Sequence, residues 1–172
     1  MDRALIDSLS STFDALRVEV PREDRLTVQA PRDAVMSVLS FLKGRGYDHL
    51  HMVSCVDWME EGQFELVYVL SAYGTGQDSA SNPGEEIILK TRIPRELPTV
   101  VSSISLFKNA EPYEREIHEL FGVRFEGHPR LTPLFLERDY EIPPFRKDFD
   151  TRQYVEDFFG SIPPVGEEDQ DV

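Results

Sequence analysis

The chain has almost no cysteine: Cys55 stands alone among 172 residues. One thiol excludes an internal disulfide framework and, by itself, a multi-cysteine zinc or iron–sulfur site, and it fits a reducing compartment. Positive charge is also scarce, with 18 Lys and Arg against 32 Asp and Glu and a formal net charge of -14. Such a surface repels phosphates, which argues against nucleic-acid binding and against docking on anionic lipid headgroups, and it favours basic partner surfaces. No run approaches the roughly 20 consecutive apolar residues that span a bilayer. The N-terminal MDRALIDSLSS lacks the apolar core of a signal peptide, so work at a membrane requires that something else hold the chain there. Phosphate-loop, dinucleotide, H-E-x-x-H and C-x-x-C signatures are missing as well, and the glycine-rich YGTG at 73–76 has neither their spacing nor a helix after it.

What is present supports one domain plus termini, since 40% hydrophobic and 10% aromatic residues are enough for a folded core. Leu5, Ile6, Leu9, Phe13 and Leu16 recur at helical spacing from about Arg3 to Leu16. RVEVP (17–21) and RLTVQAP (25–31) alternate like two short strands, and Asp33 is placed to cap a helix over AVMSVLSFLKGRG with a glycine stop at Gly44 or Gly46. Three strands follow, at 47–58, 64–73 and 85–94, with a glycine-, serine- and proline-rich hairpin loop over 74–85. In the first of them a regular period of two sets Leu50 and Met52 on one face and His49, His51 and Val53 on the other. LPTVVSSISLFKNA (97–110) is compatible with a short helix leading into a second one. The expected fold is a two-layer α+β domain, helices packed on one face of a mixed or antiparallel sheet, with an extended proline-rich C-terminal arm.

Residues 113–122, YEREIHELFG, crowd five ionisable side chains around three large apolar ones. On a helix, Tyr113, Ile117, Leu120 and Phe121 form a continuous apolar stripe that packs on the sheet. Arg115 stands four residues from both Glu111 and Glu119, Glu114 and Glu116 favour the helix dipole, Pro112 suits the first turn and Gly122 suits a left-handed cap. Beyond it the last 50 residues hold six prolines, which disfavour ladders and helices, yet carry Leu131, Leu134, Phe135, Leu136, Tyr140, Phe145 and Phe149. This arm is laid either on another protein or back over its own domain, and the sequence leaves both open. Arg146 and Lys147 make a local basic knot beside its aromatic residues, suited to a partner's carboxylates or carbonyls. The division is a core over 1–122, a docking arm over 123–160 and an acidic tail over 161–172, expected to be unstructured.

Candidates for chemistry are few. His49, His51, Cys55 and Asp57 share a strand closely enough for a metal site in a small free-standing enzyme, and this is the alternative reading of the chain. The plain reading is two half-exposed histidines and a buried thiol. His118 and His128 titrate near neutrality, but neither has a nucleophile or a partnered base beside it. Paired acids such as Glu60 and Glu61 or Glu85 and Glu86 read as solvated faces in so acidic a chain.

EREIHELFGVRFEGHP (114–129) followed by PPFRKDF (143–149) resembles the signature of the 30 kDa subunit family of NADH-quinone oxidoreductase, respiratory complex I. That family includes the equivalent small subunits of membrane-bound energy-converting hydrogenases and of archaeal F420-dependent complexes. VSCVDW (53–58) and the strand after it resemble the family's V-D-[YW] turn and following strand, so the likeness covers residues 1–150. Thr132 and Pro133 depart from the basic residues common in complex I subunits, and EIPP (141–144) replaces a second Gly-His, departures that point to hydrogenase-like, ferredoxin- or F420-linked relatives as much as to NADH-linked ones. The resemblance implies a non-catalytic peripheral-arm subunit of a membrane-bound, ion-translocating oxidoreductase. It implies no cofactor on this chain, with iron–sulfur clusters and a NiFe centre in partner subunits. The implied partners are a large NiFe-hydrogenase-like or quinone-reducing subunit and neighbouring iron–sulfur subunits, on the cytoplasmic side of the membrane and peripheral to it. Glu114, Arg115, Glu116, Glu119 and Gly122 then organise the motif helix, and His128, Arg146, Lys147 and Asp148 hold the arm or reach the partner.

Overall fold

A computed structural model of the protein describes residues 3–72, 84–136 and 140–160. Most of the expected loop at 74–85, with YGTG, and the whole acidic tail over 161–172 lie outside the described residues.

The chain opens with α1 (Arg3–Thr12), β1 (Arg17–Arg22), β2 (Arg25–Gln29) and α2 (Val35–Gly44). Next come β3 (His49–Trp58), β4 (Gln63–Ser71) and β5 (Glu86–Pro94). The five strands form one sheet in the order β1-β2-β5-β4-β3. β2 and β5 run parallel and every other neighbour antiparallel, so the sheet is mixed. The alternation that made β4 legible, Phe64, Leu66, Tyr68 and Leu70, faces one side and joins Leu26, Ile87, Leu89 and Ile93 in a single core with Leu5 and Leu9 of α1 and Val38, Leu39 and Leu42 of α2. Each such fully buried side chain contributes about 1.5–3 kcal/mol, enough for the apolar phase of each element to dictate which face turns inward.

Four details differ from the sequence expectation. Asp33 does not cap α2: it lies in a single 3-10 turn, Arg32–Ala34, paired to Arg32 at 3.2 Å, and no side chain caps the helix that follows. β3 is not regular, because its register against β4 slips between Leu50 and Met52. The extra residue, His51, shifts every later side chain by one, so Leu50, Val53, Cys55 and Asp57 turn inward while His51 and Met52 are exposed. Residues 97–110 do not form a helix. Their β-branched run Thr99–Val101 is strand β6, which pairs in parallel with β7 (Arg124–Glu126) across the motif helix α3 (Ala110–Phe121), a small β-α-β unit. The C-terminal region also has more regular structure than its prolines suggest: besides β7 it holds α4 (Thr151–Phe159), whose N-cap Asp150 accepts the amides of Arg152 at 2.9 Å and Gln153 at 3.1 Å. The four prolines among its described residues lie outside both elements.

Candidate functional site

Helix α3 packs on β3 through Ile117 and Leu120, with Tyr113 and Phe121 half-buried, as the stripe requires. Its C-terminus closes on Gly122 at φ +77, whose amide donates to the His118 carbonyl at 2.8 Å. The site is built from what the polar residues of this helix hold.

Glu114 is the largest departure from a charged outer ridge, because it is wholly buried. Its carboxylate accepts the Ser102 hydroxyl at 2.6 Å and both the amide and the hydroxyl of Ser103 at 2.7 Å, tying α3 to the segment after β6. It sits one turn inside the helix on the same side as Ala110 and Ile117, so partners inside the fold satisfy its carboxyl oxygens. Glu116 remains half-buried at the surface.

Arg115 and Glu119 grip the following chain from outside. Arg115 Nε donates to the Thr132 carbonyl at 3.0 Å and Nη2 to the Pro133 carbonyl at 2.9 Å, with Glu111 at 3.4 Å behind it. Glu119 accepts the amides of three successive residues, Leu134 at 2.9 Å, Phe135 at 3.1 Å, and Leu136. Partial burial raises the Glu119 carboxyl, but those three amides and the Arg115 charge outweigh it and hold the group below the usual glutamate range. Of the double ion pair that the spacing suggested, Arg115 makes the half with Glu111; toward Glu119 it contributes charge, while Glu119 spends its hydrogen bonds on the arm's amides. His128 completes the clamp, its Nδ1 accepting the Arg130 amide at 3.0 Å, which leaves Nε2 to donate to the Glu111 carbonyl at 3.3 Å. The described arm therefore lies back over its own helix, and its extended stretch forms a strap.

The second half of the strap returns beneath the helix cap. Phe145 donates its amide to the Leu120 carbonyl at 3.0 Å and Arg146 Nε donates to the Phe121 carbonyl at 2.7 Å, so two orphan carbonyls of the α3 C-terminus are satisfied by the strap. The Arg146 guanidinium lies 5.2 Å from the Phe64 ring centre, turned inward, while Lys147 is exposed. Burial and the nearby Arg95 both lower the Arg146 pKa.

One residue that the sequence did not single out anchors all of this. Arg95 binds Asp57 at two points, 2.9 and 3.1 Å, and Asp148 at 3.1 and 2.5 Å, and Asp57 also accepts the Lys147 amide at 2.9 Å. The hydrogen bond and charge of Arg95 lower the Asp148 carboxyl, and Asp148 and then Asp57 raise the Arg95 pKa. A signal was available: an acid at an inward position of an apolar strand needs a cation, and Arg95 directly follows the strand IILKTRIP.

His49, His51, Cys55 and Asp57 are not brought together. The bulge sends His51 to the solvent face, where its ring meets His49 edge-on at 4.5 Å, while Cys55 and Asp57 face the interior. Asp57 is committed to Arg95, and burial, reinforced by Asp57, pushes the Cys55 thiol up to about 12. The described residues contain no group of three or more potential metal ligands. His118 Nδ1 lies 2.8 Å from the Val123 carbonyl, a turn-bracing contact with no nucleophile attached.

A mixed sheet with helices on one side and a motif helix strapped by the chain that follows it defines a two-layer α+β domain. A chain of the archaeal membrane-bound sulfane sulfur reductase, a respiratory membrane complex, superposes with a TM-score of 0.81 at 29% identity, over 98% of this chain and 96% of that one. The protein belongs to the family described as respiratory-chain NADH dehydrogenase, 30 Kd subunit, whose model matches residues 28–155. The C subunit of F(420)H(2) dehydrogenase from Methanosarcina mazei is 36% identical over 152 residues, 86% of this chain and 91% of the relative. The C subunit of NADH-quinone oxidoreductase from Moorella thermoacetica is 36% identical over 121 residues, 69% of this chain and 76% of the relative. No described helix is long and apolar enough to cross a membrane.

Proposed function

We propose that this chain is a non-catalytic peripheral subunit of a membrane-bound, ion-translocating oxidoreductase complex. It docks on and stabilises a large subunit of the NiFe-hydrogenase-like type, beside iron–sulfur subunits that carry the redox centres, on the cytoplasmic side of the membrane. Electron chemistry belongs to those partners, and this chain binds no cofactor. The relatives named above include F420H2- and NADH-linked subunits and a match in a sulfur-reducing complex, which supports the reading at the level of the assembly.

The observation that carries docking is the construction of the strap. Much of it is held through its main chain, with Leu131 packed on the core, while two of its phenylalanines face out: Phe135 is 67% exposed and Phe145 60%, with Ile142 and, on α4, Phe158 also exposed. Water is a poor neighbour for exposed aromatic groups, and a partner surface removes them from it. Glu114 and Asp57 keep the fold rigid behind the strap, Arg115, Glu119, Gly122, His128, Arg146 and Asp148 set its path, and Lys147 and Glu116 remain available at the surface.

The test is assembly. Phe135→Asp, whose side chain touches little of its own domain, is expected to leave the thermal transition of the isolated chain unchanged and to abolish co-purification of the large subunit from cells expressing the whole complex. Full assembly with the variant would remove the strap as the docking element.

A further inference from the structure

The two edges of the sheet are built differently. β1, RVEVPR, carries charges at Arg17, Glu19 and Arg22, a proline that cannot donate, and a register break between Glu19 and Arg22. These are the devices by which an exposed edge avoids pairing with another strand. β3, at the opposite edge, is ten residues long, and from Met52 to Val56 it reads MVSCV, without lysine, proline or any charge. At an edge, alternate residues turn their N–H and C=O away from the sheet. One end of this edge is closed within the chain: Asn109 Nδ2 donates to the Leu50 carbonyl at 2.7 Å and Tyr113 Oη donates to the His51 carbonyl at 2.8 Å. At the far end the strap reaches only the Asp57 side chain, which receives the Lys147 amide, and no described residue outside the sheet hydrogen-bonds the main chain of residues 52–56.

Apolar surface waits on both faces of that open stretch. On the outer face, Met52 is 42% exposed, Val56 39% and Trp58 37%. On the inner face a groove of about 330 Å³ runs between β3 and α3, with Cys55, Ile117, Leu120 and Phe145 among its walls, and Glu116 is the only charged side chain among the described residues lining it. A helix laid on the sheet would cover the outer face alone, and a side chain inserted from above would fill the groove alone. An added strand satisfies the main-chain groups and sends alternate side chains to both faces.

We propose that β3 is completed in the assembled complex by an extended segment of a partner subunit, paired along Met52–Val56. The segment carries apolar residues at alternate positions and a lysine or arginine opposite Glu116. The proposal rests on the reading that the chain sits in a hetero-oligomeric complex, and the basic residue follows both from Glu116 and from the chain's net charge of -14. The same acidity argues against the chain's own C-terminal GEEDQDV as the occupant.

Hydrogen–deuterium exchange on the isolated full-length chain and on the purified complex tests the pairing directly. Outward amides within residues 52–56 are expected to exchange at least about tenfold more slowly in the complex. Val56→Lys places on the solvent face the residue that natural edges use for protection, and it is expected to cut recovery of the partner subunits at least about tenfold with an unchanged thermal transition; Val56→Thr is expected to assemble normally. A wild-type chain that co-purifies with its partners while these amides exchange at the free rate overturns the strand pairing and leaves the docking reading standing. A wild-type chain that recovers no partner overturns both. Concentration-dependent protection of the same amides in the isolated chain, with a dimer in sedimentation, assigns the edge to a second copy and overturns the partner segment.

Discussion

Asp57 and Arg95 face each other across the end of the sheet in a two-point ion pair, Nε to Oδ1 at 2.9 Å and Nη2 to Oδ2 at 3.1 Å, with the Asp57 side chain 2% exposed. Removing the cation strands a desolvated carboxylate and releases Asp148, the strap residue on the other side of the same guanidinium. Arg95→Met is therefore expected to cost about 3 kcal/mol, the low end for a broken buried pair, and to lower the melting temperature by roughly 6–12 °C for a chain of this size. Urea titration and calorimetry measure it. A loss under about 1 kcal/mol would show that the pair is dispensable.

Glu119 and Asp148 are both held below the ordinary carboxylate range, Glu119 by the strap's amides against its own partial burial and Asp148 chiefly by Arg95. A depressed folded pKa means that the stabilisation is fully present above the unfolded value, about 4, and is lost as pH falls through the folded value. The strap is thus expected to loosen in acid, below about pH 4. Amide proton shifts of Leu134, Phe135 and Leu136, followed by NMR, should titrate together with a midpoint under the usual glutamate value of about 4.3, and in Glu119→Gln this shared titration should vanish. A midpoint at or above that value would mean that the amides do not grip the carboxylate in solution.

Gly122 combines a left-handed backbone with close quarters, since a Cβ there would lie 2.7 Å from Arg146 Nη2 and 3.2 Å from Pro143. Gly122→Ala is expected to cost about 1–2 kcal/mol in backbone strain and to displace Arg146 from the helix cap. A double-mutant cycle separates the two effects: in an Arg146→Ala background the cost should shrink toward the strain alone. Equal costs in both backgrounds would exclude the steric conflict.

The Cys55 thiol, buried and pushed up to about 12 with Asp57 adding to the effect, holds almost no thiolate near neutral pH. Native protein at pH 8 should resist maleimide for hours, then react fully once unfolded in guanidinium. Rapid labelling of the native chain would contradict its burial on the inner face of β3.

The sheet, the three core helices and the inward stripe of α3 are legible in the sequence because each obeys a single period. β3 departs from its expected parity for a local reason: one inserted residue, His51, reverses the parity of all that follow, and no composition signal marks a bulge. Thr99–Val101 reads as part of a helix because three residues are too few to set a period, and only pairing with β7, more than 20 positions away, fixes them as a strand. In the motif, the spacing of Glu111, Arg115 and Glu119 suggests a closed charge ladder, yet main-chain groups of the strap compete for the same side chains. Glu114 and Arg95 find their partners through tertiary contacts alone, so the identity of an acid in the motif does not reveal whether it faces water or Ser103.

Glu119 reads N–H groups, and Arg115 reads carbonyls and, at 3.4 Å, the Thr132 hydroxyl, so the grip on residues 134–136 does not ask which side chains they bear. The exposed Phe135 can therefore change identity, proline excepted, without altering these main-chain contacts. The fold separates a fixed fastening, the gripped main chain of residues 134–136, from a rewritable label, the exposed side chain of Phe135, which can change while the domain beneath it stays as it was.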